Sequence, residues 1–164
     1  MASQLRTSEF RFEKRRVGAT VTLSSGNATR GCFFTAAASA PSNGPERVGD
    51  LLNAEQGFFP FERHGDEGAS TVLYNRAHVV LIELHDREER RDAGYNVATP
   101  RLVSILLTTG QRIVGTVRIY RPSGRDRLSD WARQPEPFRY VEDAEVTYLV
   151  NAAHIVDISE VPEL

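Results

Sequence analysis

Polar residues that recur at matching positions are the first candidates for chemistry in this chain. They are Arg47, Asp50, Asn75, His78, Arg127, Asp130, Asn151 and His154. Each Arg–Asp pair has a spacing of three residues, which fits a local ion pair or a turn cap, the alternative being a recognition pair that faces a partner. Each His follows an Ala beside the apolar residues of a closing strand. There we interpret it as a packed, hydrogen-bonded core histidine rather than a catalytic or metal-binding group.

The segment RIYRPSGRDRLSDWAR (118–133) is the second candidate. It contains Arg118, Tyr120, Arg121, Arg125, Arg127, Trp131 and Arg133. Arg, Tyr and Trp are frequent anchors of protein interfaces, and basic residues interleaved with aromatic ones also bind single-stranded nucleic acid. A solvated loop with local ion pairs is the remaining interpretation, because Asp126 and Asp130 lie among these arginines. We predict that the seven residues bind a partner, and the net charge of −2 favours protein over nucleic acid.

Motifs for catalysis are absent from the sequence. It contains no nucleophile elbow, no phosphate-binding loop and no dinucleotide fingerprint. His64 and His85 lack a ligand-like spacing, and Cys32 is interpreted as a small core residue of a strand. We therefore expect a non-enzymatic protein with no catalytic residue, no cofactor and no metal.

Composition narrows the class of protein further. Of the 164 residues, 40% are apolar and 26% are charged, as in ordinary globular proteins. The N-terminal segment has no apolar run of the secretory type, and no stretch approaches the roughly 18 apolar residues that span a bilayer. A single Cys fits a reducing compartment. We expect a cytoplasmic protein without membrane insertion.

An internal duplication organises the chain. VTLSSGNATRG (21–31) aligns with ILLTTGQRIVG (105–115), RVGDLLNAEQGFFPFE (47–62) with RLSDWARQPEPFRYVE (127–142), and TVLYNRAHVVLI (71–82) with TYLVNAAHIVDI (147–158). The offset falls from 84 to 80 to 76 residues, and both changes lie in Gly-, Ser- and Ala-rich segments that tolerate length variation. We predict an N-terminal arm (1–14), repeat 1 (15–84), a charged linker (85–99) and repeat 2 (100–164).

Each repeat has the pattern of a small all-β unit. Alternating apolar residues in the first block predict a half-buried strand, followed by a tight turn with positive φ at Gly26 or Gly110. Gly31 and Gly115 then stand inside a second strand, which indicates a bend or a close backbone approach. The recurring Asn of the third block suits a turn between two closing strands. The pattern predicts about five short antiparallel strands per repeat and no long helix.

The blocks resemble those of the Sm-like and SH3-like small barrels. VSILLTTGQRIVG matches the opening strand–turn–strand element, and VNAAHIVDI resembles the closing apolar pair around a turn. The segment from Asp50 to Asn53 is similar to a D-x-x-x-N element with shorter spacing, and repeat 2 departs from it at Trp131 and Arg133. The blocks also resemble those of uncharacterized bacterial domains of this type. The resemblance implies an all-β chain of two tandem small antiparallel barrels, and it brings no known activity.

The preferred function at this point is a scaffold or adaptor that self-associates or binds a protein partner. Exposed strand edges favour such pairing, and a duplicated unit offers two quasi-equivalent faces from which a dimer or a closed ring can form. The alternative is an Sm-like regulator that binds RNA or single-stranded nucleic acid through the arginine-rich segment of repeat 2.

Overall fold

The computed structural model describes residues 14–37, 45–86, 94–120, 124 and 126–162. Most of the expected N-terminal arm, the middle of the expected linker, Arg121 and Arg125 lie outside the described residues. Repeat 1 contains β1 (Lys14–Leu23), β2 (Ala28–Ala36), α1 (Val48–Asn53), β3 (Phe58–Gly65), β4 (Gly68–Asn75), a 3₁₀ turn (Arg76–His78) and β5 (Val79–Leu84). Repeat 2 contains β6 (Thr99–Leu107), β7 (Arg112–Ile119), α2 (Leu128–Ala132), β8 (Phe138–Glu142), β9 (Thr147–Asn151), a 3₁₀ turn (Ala152–His154) and β10 (Ile155–Glu160). The same order of elements therefore occurs twice.

All ten strands belong to one antiparallel sheet, in the order β10-β6-β7-β8-β9-β5-β1-β2-β3-β4. The all-β class is therefore confirmed. The arrangement differs from two separate closed barrels, because the sheet is open and runs through both repeats. Its continuity comes from β5 of repeat 1, which pairs with β9 of repeat 2. This pairing satisfies backbone groups that both strands would otherwise expose, and it leaves β4 and β10 as the two edges.

Two apolar clusters form the core, one on each side of the β5–β9 pair. In repeat 1 the Phe33 ring packs 5.6 Å from that of Phe59 and 5.0 Å from that of Phe61, between ring centroids. Phe138 and Leu149 of repeat 2 belong to this same cluster. The exchange is mutual, because Val80 and Leu81 of repeat 1 are buried in the cluster of repeat 2. Each repeat thus completes the core of the other.

The predicted roles of the repeated glycines are confirmed. Gly26 and Gly110 have φ values of 90° and 87°, which a glycine adopts without strain. At Gly31 an added Cβ would lie 1.9 Å from the Glu62 carbonyl oxygen. At Gly115 it would lie 2.8 Å from Val141 Cγ1. The absence of a side chain lets the second strand of each repeat approach the third.

Two buried arginines hold the C-terminal ends of the short helices. Arg76 donates to the carbonyl oxygens of Leu52 (3.0 Å), Phe58 (2.7 Å) and Leu51 (3.1 Å). Arg139 donates to those of Glu136, Trp131 and Gln134 at 2.6 to 2.8 Å. Burial lowers the pKa of both guanidinium groups. This role could not be predicted from the repeat, because the two arginines occupy different positions in it.

Among the described residues, no helix combines the length and the apolarity that crossing a bilayer requires.

Candidate self-association interface

The contact between β5 and β9, here called the junction, is where one repeat binds the other. Its register places Leu81 opposite Val150 and Ile82 opposite Leu149. Glu83 lies opposite Tyr148, and the pKa of Tyr148 is raised by burial first and by the negative charges of Asp143 and Glu83 second. Six of the eight paired residues are buried and the other two, Glu83 and Tyr148, are half-buried. The junction therefore continues the core from one repeat into the other.

Helix α1 adds a polar contact to this strand pair. The Asn53 side chain binds the backbone of Phe138 twice: its Nδ2 donates to the carbonyl and its Oδ1 accepts from the amide, both at 2.9 Å. The Gly49 amide donates to Tyr140 Oη at 3.0 Å, and an added Cβ at Gly49 would lie 2.7 Å from Tyr140 Cε2. Arg47 covers the same ring with its guanidinium carbon 4.7 Å from the centroid. These contacts fix how β8 lies against repeat 1.

The recurring Asn and His residues act at the two 3₁₀ turns. Asn75 Oδ1 accepts from the Ala77 amide at 3.0 Å, and Asn151 Oδ1 accepts from the Ala153 amide at 3.1 Å, so both cap a turn as predicted. Only Asn151 also crosses the junction: its Nδ2 donates to the carbonyl oxygens of Arg76 (3.2 Å) and Val79 (2.9 Å). One Asn caps its own turn, and the other caps its turn and joins the repeats.

The expectation that both histidines lie in the core is wrong. His78 is exposed and His154 is half-buried, because each lies on the outer side of its turn. His154 Nε2 donates to the Ala77 carbonyl at 2.8 Å across the junction, while its Nδ1 lies 2.9 Å from Thr108 Oγ1. His78 repeats the second contact, with its Nδ1 3.1 Å from Ser24 Oγ. The histidines are hydrogen-bonded, as expected, but they belong to the surface of the turns.

The two free edges, and β3 beside one of them, expose the same apolar positions that the junction buries. Leu73 on β4 is 63% exposed, whereas its repeat equivalent Leu149 is 0% exposed. Val156 on β10 is 60% exposed, and its equivalent Val80 is 0% exposed. Phe58 of β3 is 61% exposed against 3% for its equivalent, Phe138. Leu73, Val156 and Phe58 are thus exposed to solvent, whereas the residue equivalent to each of them is covered by the other repeat.

Replacing Asn53 with Ala should lower the free energy of unfolding by about 2 kcal/mol, because the backbone amide and carbonyl of Phe138 lose their partner. Chemical denaturation at fixed protein concentration measures the change. The matched control is Arg133→Ala at the equivalent position of repeat 2. This residue is exposed, so we expect a change within about 0.5 kcal/mol. Equal effects of the two substitutions would contradict the role of Asn53 at the junction.

The arginine-rich segment is not one continuous surface. Trp131 is 2% exposed and packs in the core of repeat 2, so the prediction that it anchors a partner is corrected: its indole fills the space between α2 and the sheet. Arg118 stacks on Tyr95, with its guanidinium carbon 3.8 Å from the ring centroid, and donates to the Tyr95 carbonyl. Tyr120 is 41% exposed. The structure thus brings only part of the segment to the surface.

The acidic residues of this segment have local roles. The Asp130 carboxylate accepts from the Arg127 amide at 2.9 Å, as Asp50 does from the Arg47 amide at 3.0 Å. The turn-cap interpretation of both pairs is confirmed. Asp126 accepts from Thr99 Oγ1 at 3.0 Å, and this hydrogen bond contributes most to lowering the pKa of its carboxyl group. Arg127 and Arg133 are exposed at the two ends of α2.

Among the described residues, one group of three side chains has the arrangement of metal ligands. Atoms of Cys32, Glu62 and His64 lie within 4.8 Å of one another on the outer face of repeat 1. The sequence did not reveal this group, because Cys32 is 30 residues away from Glu62 and only the pairing of β2 with β3 brings them together.

No protein-family model, no curated protein and no solved structure matches this chain.

Proposed function

We propose that this protein is a non-enzymatic scaffold that assembles head to tail, with β4 of one chain paired to β10 of the next. The β5–β9 junction carries the proposal, because it pairs the repeat equivalents of β10 and β4 within one chain. A contact between two different surfaces repeats from copy to copy, and it gives a ring if the rotation closes and a filament if it does not. We take each repeat as an Sm-like small-barrel unit in this assembly.

The register of the intermolecular contact follows from the register of the junction. Ile82 pairs with Leu149 inside the chain, and their repeat equivalents are Ile158 on β10 and Leu73 on β4. Pairing these two strands covers Leu73 and Val156, the most exposed apolar residues of the two edges. Long apolar edge strands attract a further strand unless charge or distortion prevents it. The acidic residues of β10 are partly neutralised within their own unit, since Arg112 pairs with Asp157 at 3.3 Å and Arg101 with Glu160 at 3.5 Å.

Not every contact of the junction has an intermolecular equivalent. Arg133 stands where α1 has Asn53, and Pro60 stands where β8 has Tyr140. The intermolecular contact therefore lacks the polar contacts that Asn53 and Tyr140 make at the junction. We expect it to dissociate under conditions in which each chain, with its internal junction, remains folded.

Size-exclusion chromatography with light scattering tests the proposal. We expect a discrete multiple of the chain mass of 18.3 kDa, with an absorbance ratio typical of protein and little dependence on salt. A monomer at micromolar concentration would contradict self-assembly and would leave the edges to a different protein. An absorbance signal at 260 nm that disappears in high salt would instead support the nucleic-acid alternative.

A further inference from the structure

The outer face of repeat 1 brings together three side chains with three different donor atoms. Cys32 on β2 lies opposite Glu62 on β3, so their side chains point to the same face of the sheet. His64 follows two residues after Glu62 and shares that face, with its Nε2 3.0 Å from Glu62 Oε1. The neighbouring residues Phe33 and Phe61 point the other way, into the core. Cys32 is 3% exposed, as expected of a small core residue, whereas Glu62 is half-buried and His64 is exposed. A sulfur, a nitrogen and an oxygen donor thus meet on this face, with the sulfur buried beneath the other two.

The separation of the donor atoms is close to what a bound metal ion requires. All three lie within 4.8 Å of one another. Tetrahedral zinc, with bonds of about 2.0 to 2.3 Å, holds its ligand atoms roughly 3.3 to 3.8 Å apart. Side-chain rotations alone can make up this difference, because Glu62 and His64 have 17% and 49% of their side-chain surface exposed.

Repeat 2 shows that the fold does not need these donors. Its register is the same, with Thr116 opposite Glu142, but Thr replaces the Cys and Ala144 stands two residues after the Glu. Glu142 instead accepts a hydrogen bond from Tyr95 Oη at 2.5 Å. Thus the carboxylate occurs in both repeats, whereas the thiol and the imidazole occur in repeat 1 alone.

We propose that Cys32, Glu62 and His64 bind a divalent zinc-like cation, with a fourth position left for water or an external ligand. Mixed thiolate, imidazole and carboxylate donors favour borderline-soft metals such as zinc over magnesium or calcium. The site lies on β2 and β3 of repeat 1. Although β3 pairs with the edge strand β4, none of the three donors is on β4 or β10, so the site does not depend on the proposed assembly.

The existing partners of Glu62 are compatible with metal binding. Glu62 forms an ion pair with Arg16, whose side chain is 61% exposed and also covers the Phe34 ring at 5.5 Å. Exposed ion pairs contribute little stability, so releasing Arg16 to solvent costs little. The cation replaces the positive charge that Arg16 supplies, and the Glu62–His64 hydrogen bond gives way to two metal bonds.

Titration of the chelator-treated full-length protein with Zn²⁺, measured by isothermal titration calorimetry, tests the site directly. We expect one ion per chain, no competition from Mg²⁺ or Ca²⁺, and affinity lowered more than about tenfold by each of Cys32→Ser, Glu62→Gln and His64→Ala. Substitution with Co²⁺ should add a sulfur-to-cobalt charge-transfer band that disappears in Cys32→Ser. The matched control is Glu142→Gln in repeat 2, which should bind Zn²⁺ with unchanged affinity.

Three results would overturn the site. The first is a Zn²⁺ affinity that is unchanged in His64→Ala or Glu62→Gln. The second is a Co²⁺ complex without the sulfur-to-cobalt band. The third is an equal loss of Zn²⁺ affinity in Glu62→Gln and Glu142→Gln. Circular dichroism shows whether each variant folds. If Cys32→Ser does not fold, the two surface variants and the Co²⁺ spectrum of the unsubstituted protein decide the question.

Discussion

Leu73→Glu should convert the assembled protein to a single chain of 18.3 kDa. Leu73 is 63% exposed on β4, and its equivalent at the junction, Leu149, is fully buried opposite Ile82. In the proposed assembly the introduced carboxylate would face Ile158 of the next chain without a partner for its charge. Such a desolvated charge should raise the dissociation constant by at least about 100-fold. Light scattering across a dilution series measures the change.

A substitution that adds the same charge elsewhere provides the control. Val114 on β7 is 49% exposed but lies inside the sheet rather than on an edge strand. Val114→Glu should therefore leave the mass of the assembly unchanged. If it dissociated the assembly as strongly as Leu73→Glu does, the effect would be one of general charge and not of the β4 edge.

The complementary edge makes the test specific to head-to-tail pairing. Val156→Glu should also give a single chain, because Val156 is exposed on β10 where its equivalent Val80 is buried at the junction. Leu73→Glu keeps an intact β10, and Val156→Glu keeps an intact β4. Mixing the two variants should therefore form one junction and a species of twice the chain mass. Pairing of β4 with β4 predicts instead that Val156→Glu assembles normally.

Arg76→Ala should lower the free energy of unfolding by about 3 to 5 kcal/mol, since one buried and two part-buried carbonyl groups lose a charged donor at once. At a few degrees per kcal/mol for a chain of this size, the midpoint of thermal unfolding should fall by roughly 6 to 20 °C. Calorimetry at one fixed protein concentration measures the change, because assembly makes the midpoint depend on concentration.

Two further variants show whether Arg76 stabilises the fold through its hydrogen-bond geometry or through its charge. Arg76→Lys keeps the charge, but one ammonium group cannot reach the carbonyl oxygens of Leu51, Leu52 and Phe58 together. We expect Arg76→Lys to recover less than half of the free energy of unfolding that Arg76→Ala loses. Arg63→Ala removes an exposed arginine from β3 and should change stability by no more than about 0.5 kcal/mol. Equal thermal midpoints for Arg76→Ala and Arg63→Ala would show that the three hydrogen bonds of Arg76 do not stabilise the fold.

The features that the sequence predicted are local. Gly26 needs its positive φ for a turn of a few residues, and Asp50 caps its own helix by accepting from the amide of Arg47, three residues before it. Alternation along one strand shows which side chains are buried, whatever strand lies beside it. The repeated blocks then show that the same local structure occurs twice. Such features depend on neighbours in the chain, so a single sequence contains them.

Pairing between distant strands decided the rest. Every strand edge offers the same row of amide and carbonyl groups, so no residue pattern showed that β5 joins β9 and makes one sheet of two repeats. The same holds for Trp131, which an arginine-rich context predicts at the surface and the tertiary packing buries. Cys32 is distant in the chain from Glu62 and His64 and meets them only because β2 pairs with β3. The sequence thus determined the units and their elements, while contacts between distant segments determined the junction, the free edges and the proposed metal site.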